Sequence, residues 1–85
     1  MNWDKEALDD FEAVLSKIPV FLRDTARKKV LPRAEKNAGD AGRGSVTQKD
    51  VVDAFFAETP FGFHGPMKAD LGSLGIDYIK YGYSK

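Results

Sequence analysis

Eighty-five residues suffice for one domain and not for two, and a chain of this size buries only roughly 60–65% of the surface it exposes when unfolded. Thirteen basic residues balance thirteen acidic ones, so the zero net charge gives no general attraction to nucleic acid or anionic lipid. Cysteine is absent, which excludes disulfides, thiolate zinc sites, cysteine nucleophiles and self-ligated iron–sulfur clusters, and a single histidine leaves metal binding to carboxylates.

The charges are unevenly placed. Asp4, Glu6, Asp9, Asp10 and Glu12 make the first segment acidic, while Arg23, Arg27, Lys28, Lys29, Arg33 and Lys36 make the second basic. Two helices attracting each other account for that split. No apolar run is long enough for a membrane span, and the polar, acidic first residues are unlike a signal peptide, so a cytoplasmic protein is expected.

Ala7, Leu8, Phe11, Val14, Leu15 and Ile18 recur at helical spacing and predict a first helix over about residues 4–17, with Asn2 or Asp4 as its cap. Pro19 ends it, because the residue before a proline is pushed out of helical geometry. A second helix is expected over residues 20–38 on the row Leu22, Ala26, Val30, Ala34, Ala38, with Arg23 and Arg27 inside the apolar arc. Arginines placed there either snorkel or pair with an acid such as Glu35, or they face an anion. Pro32 predicts a kink or break near Val30–Leu31.

Residues 39–46 read as a glycine loop with Gly39 closing the second helix. Lacking a preceding strand and a Gly-Lys-Ser/Thr sequence, it does not read as a phosphate loop. Thr47 and Asp50 mark the start of a third helix reaching Ala57, with Val51, Val52, Phe55 and Phe56 on its apolar face and Asp50 and Asp53 on a solvated one. Thr59-Pro60 ends it.

Residues 60–85 mix glycines with Phe61, Phe63, Tyr78, Tyr81 and Tyr83. Pro66 can open a short helix closing at Gly72, whereas residues 76–81 fit helix and strand equally. This apolar tail either packs on the helices or is ordered by a partner. His64, in an aromatic and glycine-rich setting, is a candidate ligand or proton carrier beside the ordinary reading of a hydrogen-bonded histidine. Tyr78 and Tyr81 can stack on a flat ligand or simply build core.

The order of features carries a family resemblance: Trp3, Glu6-Ala7, Leu15, the run Ile18-Pro19-Val20-Phe21-Leu22-Arg23, Ala26-Arg27, Ala34-Glu35-Lys36-Asn37-Ala38, then a glycine loop and Val46-Thr47. Over about residues 3–56 the chain resembles the small C-terminal domain of the B subunit of light-independent protochlorophyllide reductase. The whole enzyme reduces a tetrapyrrole double bond with ATP and iron–sulfur clusters, and the cluster cysteines and nitrogenase-like domains lie outside this region. The resemblance therefore implies a module associated with a tetrapyrrole-reducing oxidoreductase rather than an independent reductase. It makes Arg23 and Arg27 candidate contacts for a propionate, and His64, Tyr78 and Tyr81 candidates for a flat pigment.

The expectation is an all-α fold: a three-helix domain over residues 1–59 and a glycine- and aromatic-rich tail over 60–85, with a possible fourth short helix. Leu8, Phe11, Leu15, Ile18, Leu22, Val30, Val51 and Phe55 form its core, and Trp3 packs at one end. Functionally it reads as a non-catalytic accessory module, docking on a larger oxidoreductase subunit or holding a tetrapyrrole, with no cofactor of its own. A nucleic-acid-binding module using the basic second helix is the alternative. No convergent nucleophile, base or metal set points to an independent enzyme.

Overall fold

The computed structural model describes all 85 residues. Four helices, α1 (Lys5–Ser16), α2 (Val20–Asp40), α3 (Gln48–Glu58) and α4 (His64–Ser73), account for most of the chain. A two-residue strand β1 (Asn2–Trp3) pairs in parallel with β2 (Ser45–Val46), and Asp4 N–H continues the ladder to the Val46 carbonyl at 2.9 Å. These short strands carry no period-2 pattern in the sequence. No helix is long and apolar enough to cross a membrane.

α1 is amphipathic as its spacing predicts: Ala7, Phe11, Val14 and Leu15 are buried. α2 is the spine. Its 21 residues at 1.5 Å rise span roughly 30 Å, the full 31 Å length of the molecule. It contributes Val30, Ala34 and Ala38, small side chains that let α3 approach closely, and α3 in turn buries Val51, Val52, Ala54, Phe55 and Phe56. Trp3 lies against Phe11 with ring centroids 5.2 Å apart and donates from Nε1 to Glu35.

Met67, Leu71, Ile76 and Tyr78 join the same hydrophobic core as Phe11, Val51 and Phe55. Residues 60–85 are thus a packed part of one domain, and the fourth short helix is present as α4. After it, Ile79–Tyr81 form a single 3-10 turn, neither α-helix nor strand.

Several expectations need correction. Pro32 does not break α2, which runs through it. The carbonyl of Lys28, which loses its partner to the missing proline N–H, belongs to an exposed residue, as does Pro32, so water can serve it. Gly39 does not close α2. The helix continues to Asp40 and ends in a Schellman motif: Gly42 takes φ +76°, Gly42 N–H bonds the Gly39 carbonyl, and Arg43 N–H bonds the Ala38 carbonyl. α4 starts at His64, two residues before Pro66, and ends the same way at Ser73, its closing glycine being Gly75 (φ +74°) and not Gly72, with Gly75 N–H on the Gly72 carbonyl and Ile76 N–H on the Leu71 carbonyl. Buried Leu71 and Ile76 supply the hydrophobic pair that accompanies this motif.

Asp50 and Asp53 do not form a solvated face. Asp50 is 2% exposed and completes a capping box with Thr47. Leu8 and Leu22 lie outside the core, each nearly half exposed, and Ile18 is only partly buried. The exposure of Leu22 leads to the site.

Candidate binding cleft

The segments flanking Pro19 and Pro60 leave several large apolar side chains in water. Val20 and Phe21 at the start of α2, and Phe61 and Phe63 in the 3-10 turn before α4, are all mostly exposed; Phe21 reaches 79% and Phe61 88%. Burying a phenylalanine is worth about 1.5–3 kcal/mol, so these segments leave unused apolar area that the fold does not recover.

Between these segments lies one cleft of about 460 Å³. Its floor is the outer face of the core, Val14 and Phe55, with Ile18 at the α1–α2 turn. One wall is the first two turns of α2, and the other is Phe63 and the first turns of α4. The size and apolar character are those of a ligand or anchor-residue site. Ile18, Pro19 and Leu22 of the Ile-Pro-Val-Phe-Leu-Arg run line one side of it. Lys17 and Asp70 are the formal charges among the lining residues.

The residues singled out from the sequence do not converge here. Arg23 hydrogen-bonds the end of α1: Nε donates to the carbonyls of Leu15 (3.0 Å) and Ile18 (2.9 Å), and Nη2 to that of Ser16 (2.8 Å). The Ser16 and Ile18 carbonyls stand at and just past the end of α1, where intrahelical donors run out, and the Leu15 carbonyl also accepts from the Ile18 N–H, so the guanidinium acts as a C-cap supplied by the next helix. Arg27 pairs with Glu12, not Glu35, through two bonds of 2.6 and 2.8 Å, and its guanidinium lies over the Phe11 ring. Those hydrogen bonds hold the Glu12 carboxyl below its ordinary range.

His64 donates from Nε2 to the Thr59 carbonyl at 2.9 Å, which places its proton on that nitrogen, and meets Phe56 edge-on. Tyr78 is core. Tyr81 donates to Gln48 Oε1, and Gln48 Nε2 donates to Asp10 (2.8 Å), a chain that ties the tail to α3 and α1. Tyr83 stacks on Phe56 with centroids 3.8 Å apart and donates to Asp53. Burial, reinforced by the Asp53 bond, pushes the Tyr83 phenol above its ordinary range.

A second polar cluster lies at the other end of α2. Arg43 pairs with Asp50, which also accepts from the Thr47 N–H (2.8 Å) and hydroxyl (3.0 Å), while Asn37 donates to the Asp50 carbonyl. Burial alone would raise the Asp50 carboxyl, but the three donors outweigh it and hold it below the ordinary range. Every buried side-chain polar atom in the domain has a partner, and no three His, Asp or Glu side chains converge as metal ligands.

Sequence reasoning missed the cleft because it counted Ile18 and Leu22 as core. The signal that could have found it is local: two Pro-flanked stretches, 18–22 and 60–63, each carry more large apolar side chains than a turn requires. No family model matches the chain, and no curated protein or solved structure matches it.

Proposed function

We propose that this chain is a non-catalytic accessory module of the cytoplasm that docks through its apolar cleft on a larger oxidoreductase of the tetrapyrrole-reducing kind. The observation that carries the docking reading is the placement of Ile18, Pro19 and Leu22. These residues belong to the run that carries the family resemblance, yet they line the cleft next to mostly exposed Phe21, and of the three only Ile18 packs against the core. A surface kept apolar against its solvation cost is explained by a partner that covers it.

Docking is favoured over holding the pigment itself. The donors of Arg23 and Arg27 are engaged within the fold, His64 faces a backbone carbonyl, and the tail tyrosines hold α3. Only Lys17 is left near the cleft for a propionate. The nucleic-acid reading loses its motive as well. Of the six basic residues between 23 and 36, Arg23 caps α1, and Arg27, Lys28, Arg33 and Lys36 pair with Glu12, Asp24, Glu58 and Asp40.

The test is an amide-resolved NMR titration of the labelled chain, first with protochlorophyllide and then with the purified light-independent protochlorophyllide reductase complex. Docking predicts shifts and broadening at residues 17–26 and 59–70 with the complex and none with free pigment. Shifts with pigment alone would replace docking by pigment binding. No response to either would remove the oxidoreductase assignment.

A further inference from the structure

The two ends of the chain are fastened by different means. The first is fastened through its backbone: Asn2 and Trp3 pair with Ser45 and Val46. Residues 79–85 have no backbone hydrogen bond to any other element. The bonds of their own turn, Tyr81 N–H to the Tyr78 carbonyl and Gly82 N–H to the Ile79 carbonyl, are local, and none of the domain's ion pairs reaches them. Two tyrosines, the only residues of this segment that are not exposed, hold it to the helices. The Tyr81 hydroxyl donates to Gln48, the Tyr83 hydroxyl donates to Asp53, and the Tyr83 ring lies on that of Phe56, 5° from parallel. All three attachments fall on α3.

A segment held by few buried contacts, with its own backbone bonds in water, opens more easily than the core it lies on. Its release also leaves the helices satisfied. Gln48 keeps its Nε2 bonds to Glu6 and Asp10, and Asp53 keeps Lys49. Buried Tyr78 stays in the core and fixes the point at which the segment departs. The two anchors are too close to act separately, since one residue lies between them. That residue is Gly82, which closes the turn in the left-handed region at φ +99°. We propose that residues 79–85 are a strap that opens and closes as one unit on the folded domain, hinged after Tyr78, covering the Phe56 ring when closed and uncovering it when open.

Opening leaves α1–α4 and the β1–β2 pair in place, so it is separate from any loosening of the domain itself, and it is independent of the docking reading above. What it changes is an aromatic row. Exposed Phe61 meets His64, His64 meets Phe56 edge-on, and Phe56 meets Tyr83 face to face. With the strap closed, Phe56 is 7% exposed and the row is capped by a ring that belongs to the strap. With the strap open, the row ends at a bare Phe56 face.

The experiment is amide hydrogen exchange of the full chain, followed by NMR at increasing urea below the unfolding transition. The Tyr81 and Gly82 amides, bonded in the closed turn, report the strap, and those of Val52 and Phe55 report the core. The two strap amides should share one protection factor. They should exchange at least about a hundredfold faster than the core pair and with almost no urea dependence, because opening exposes little surface. Tyr81→Phe and Tyr83→Phe should each speed both strap amides together by about fivefold, the effect of losing one hydrogen bond. Gly82→Ala meets no neighbouring atom but is strained at φ +99°, and should speed the same two amides with every contact retained. Strap amides with the protection and urea slope of the core overturn the proposal, since the segment would then open only with the domain. Exchange at the rate of a free peptide overturns it too, since the strap would not close. A Tyr83→Phe effect that is absent, or confined to one of the two amides, overturns it in favour of residues that fray singly.

Discussion

The two ends of α2 solve opposite problems with similar materials. At its C-terminal end the buried polar side chains are matched: Gly42 turns the chain, Arg43 and Thr47 satisfy buried Asp50, Asn37 reaches the Asp50 carbonyl, and β1 pairs with β2. At its N-terminal end the backbone is equally well served, through Arg23 on the α1 carbonyls, but the apolar side chains are left outside. One end is finished within the chain and the other is not. Stability should therefore depend on the first end and binding on the second, and mutations can break that division.

The largest effect is expected at the finished end. Asp50→Ala removes the capping box and its charge-assisted bond to Arg43, and should cost about 2–3 kcal/mol in urea denaturation. Asp50 also gives the division a pH signature. Its folded-state value lies below that of the unfolded chain, so its contribution is whole above the ordinary carboxylate range and is lost as pH falls through the folded value. Asp50→Asn should flatten the acid limb of a stability–pH profile, and an unchanged limb would place acid sensitivity elsewhere.

Arg23 is the sharper case, because it lies at the open end yet serves the backbone. Arg23→Ala should destabilise by about 2 kcal/mol by thermal or chemical melting, with Arg23→Lys recovering part, since a lysine cannot reach three carbonyls with a planar fork. Partner binding measured well below the melting temperature should stay nearly intact. Binding lost with stability unchanged would make Arg23 a contact residue after all.

Next comes the tail. Tyr83→Phe should cost about 1 kcal/mol. In wild type one tyrosine should ionise above the ordinary phenol range in an absorbance titration, and that component should vanish in the variant. The folded value is raised, so this contribution is complete below the unfolded phenol value of roughly pH 10 and disappears as pH rises through the folded one. The smallest stability effect belongs to Phe61→Ser and Phe63→Ser, within about 0.5 kcal/mol of wild type. Loss of more than that would mean these rings support the fold and are not reserved for a partner.

What the sequence made legible follows the same division. Periodicity located α1 and α3 within a residue or two, Ile18-Pro19 marked a true boundary, and Thr47 with Asp50 announced a capping box that is present. Features depending on an angle between elements were not legible. Whether Arg23 meets a ligand or the preceding helix is decided by the α1–α2 turn, which no residue pattern specifies. Asp50 looked solvated because its partner Arg43 comes from a glycine loop. Leu22 looked like core because spacing identifies an apolar face without saying whether the covering element belongs to the same chain. Functional reasoning fared accordingly: the arginine and aromatic candidates are mostly structural, and the cleft is made of residues first read as core or turn.

The β1–β2 pair has a temporal consequence. Its two strands are on the order of forty residues apart along the chain, and a loop of that length loses substantial entropy when its ends are joined for so few hydrogen bonds. The helices α2 and α3, by contrast, are joined by the short segment 41–47 and make the most extensive contact between any two elements of the fold. The clip at Asn2–Trp3 should therefore fasten after the α2–α3 hairpin exists and open first when the domain loosens. Amide exchange at Asp4 would then report the earliest breathing of the fold, well before the core helices exchange.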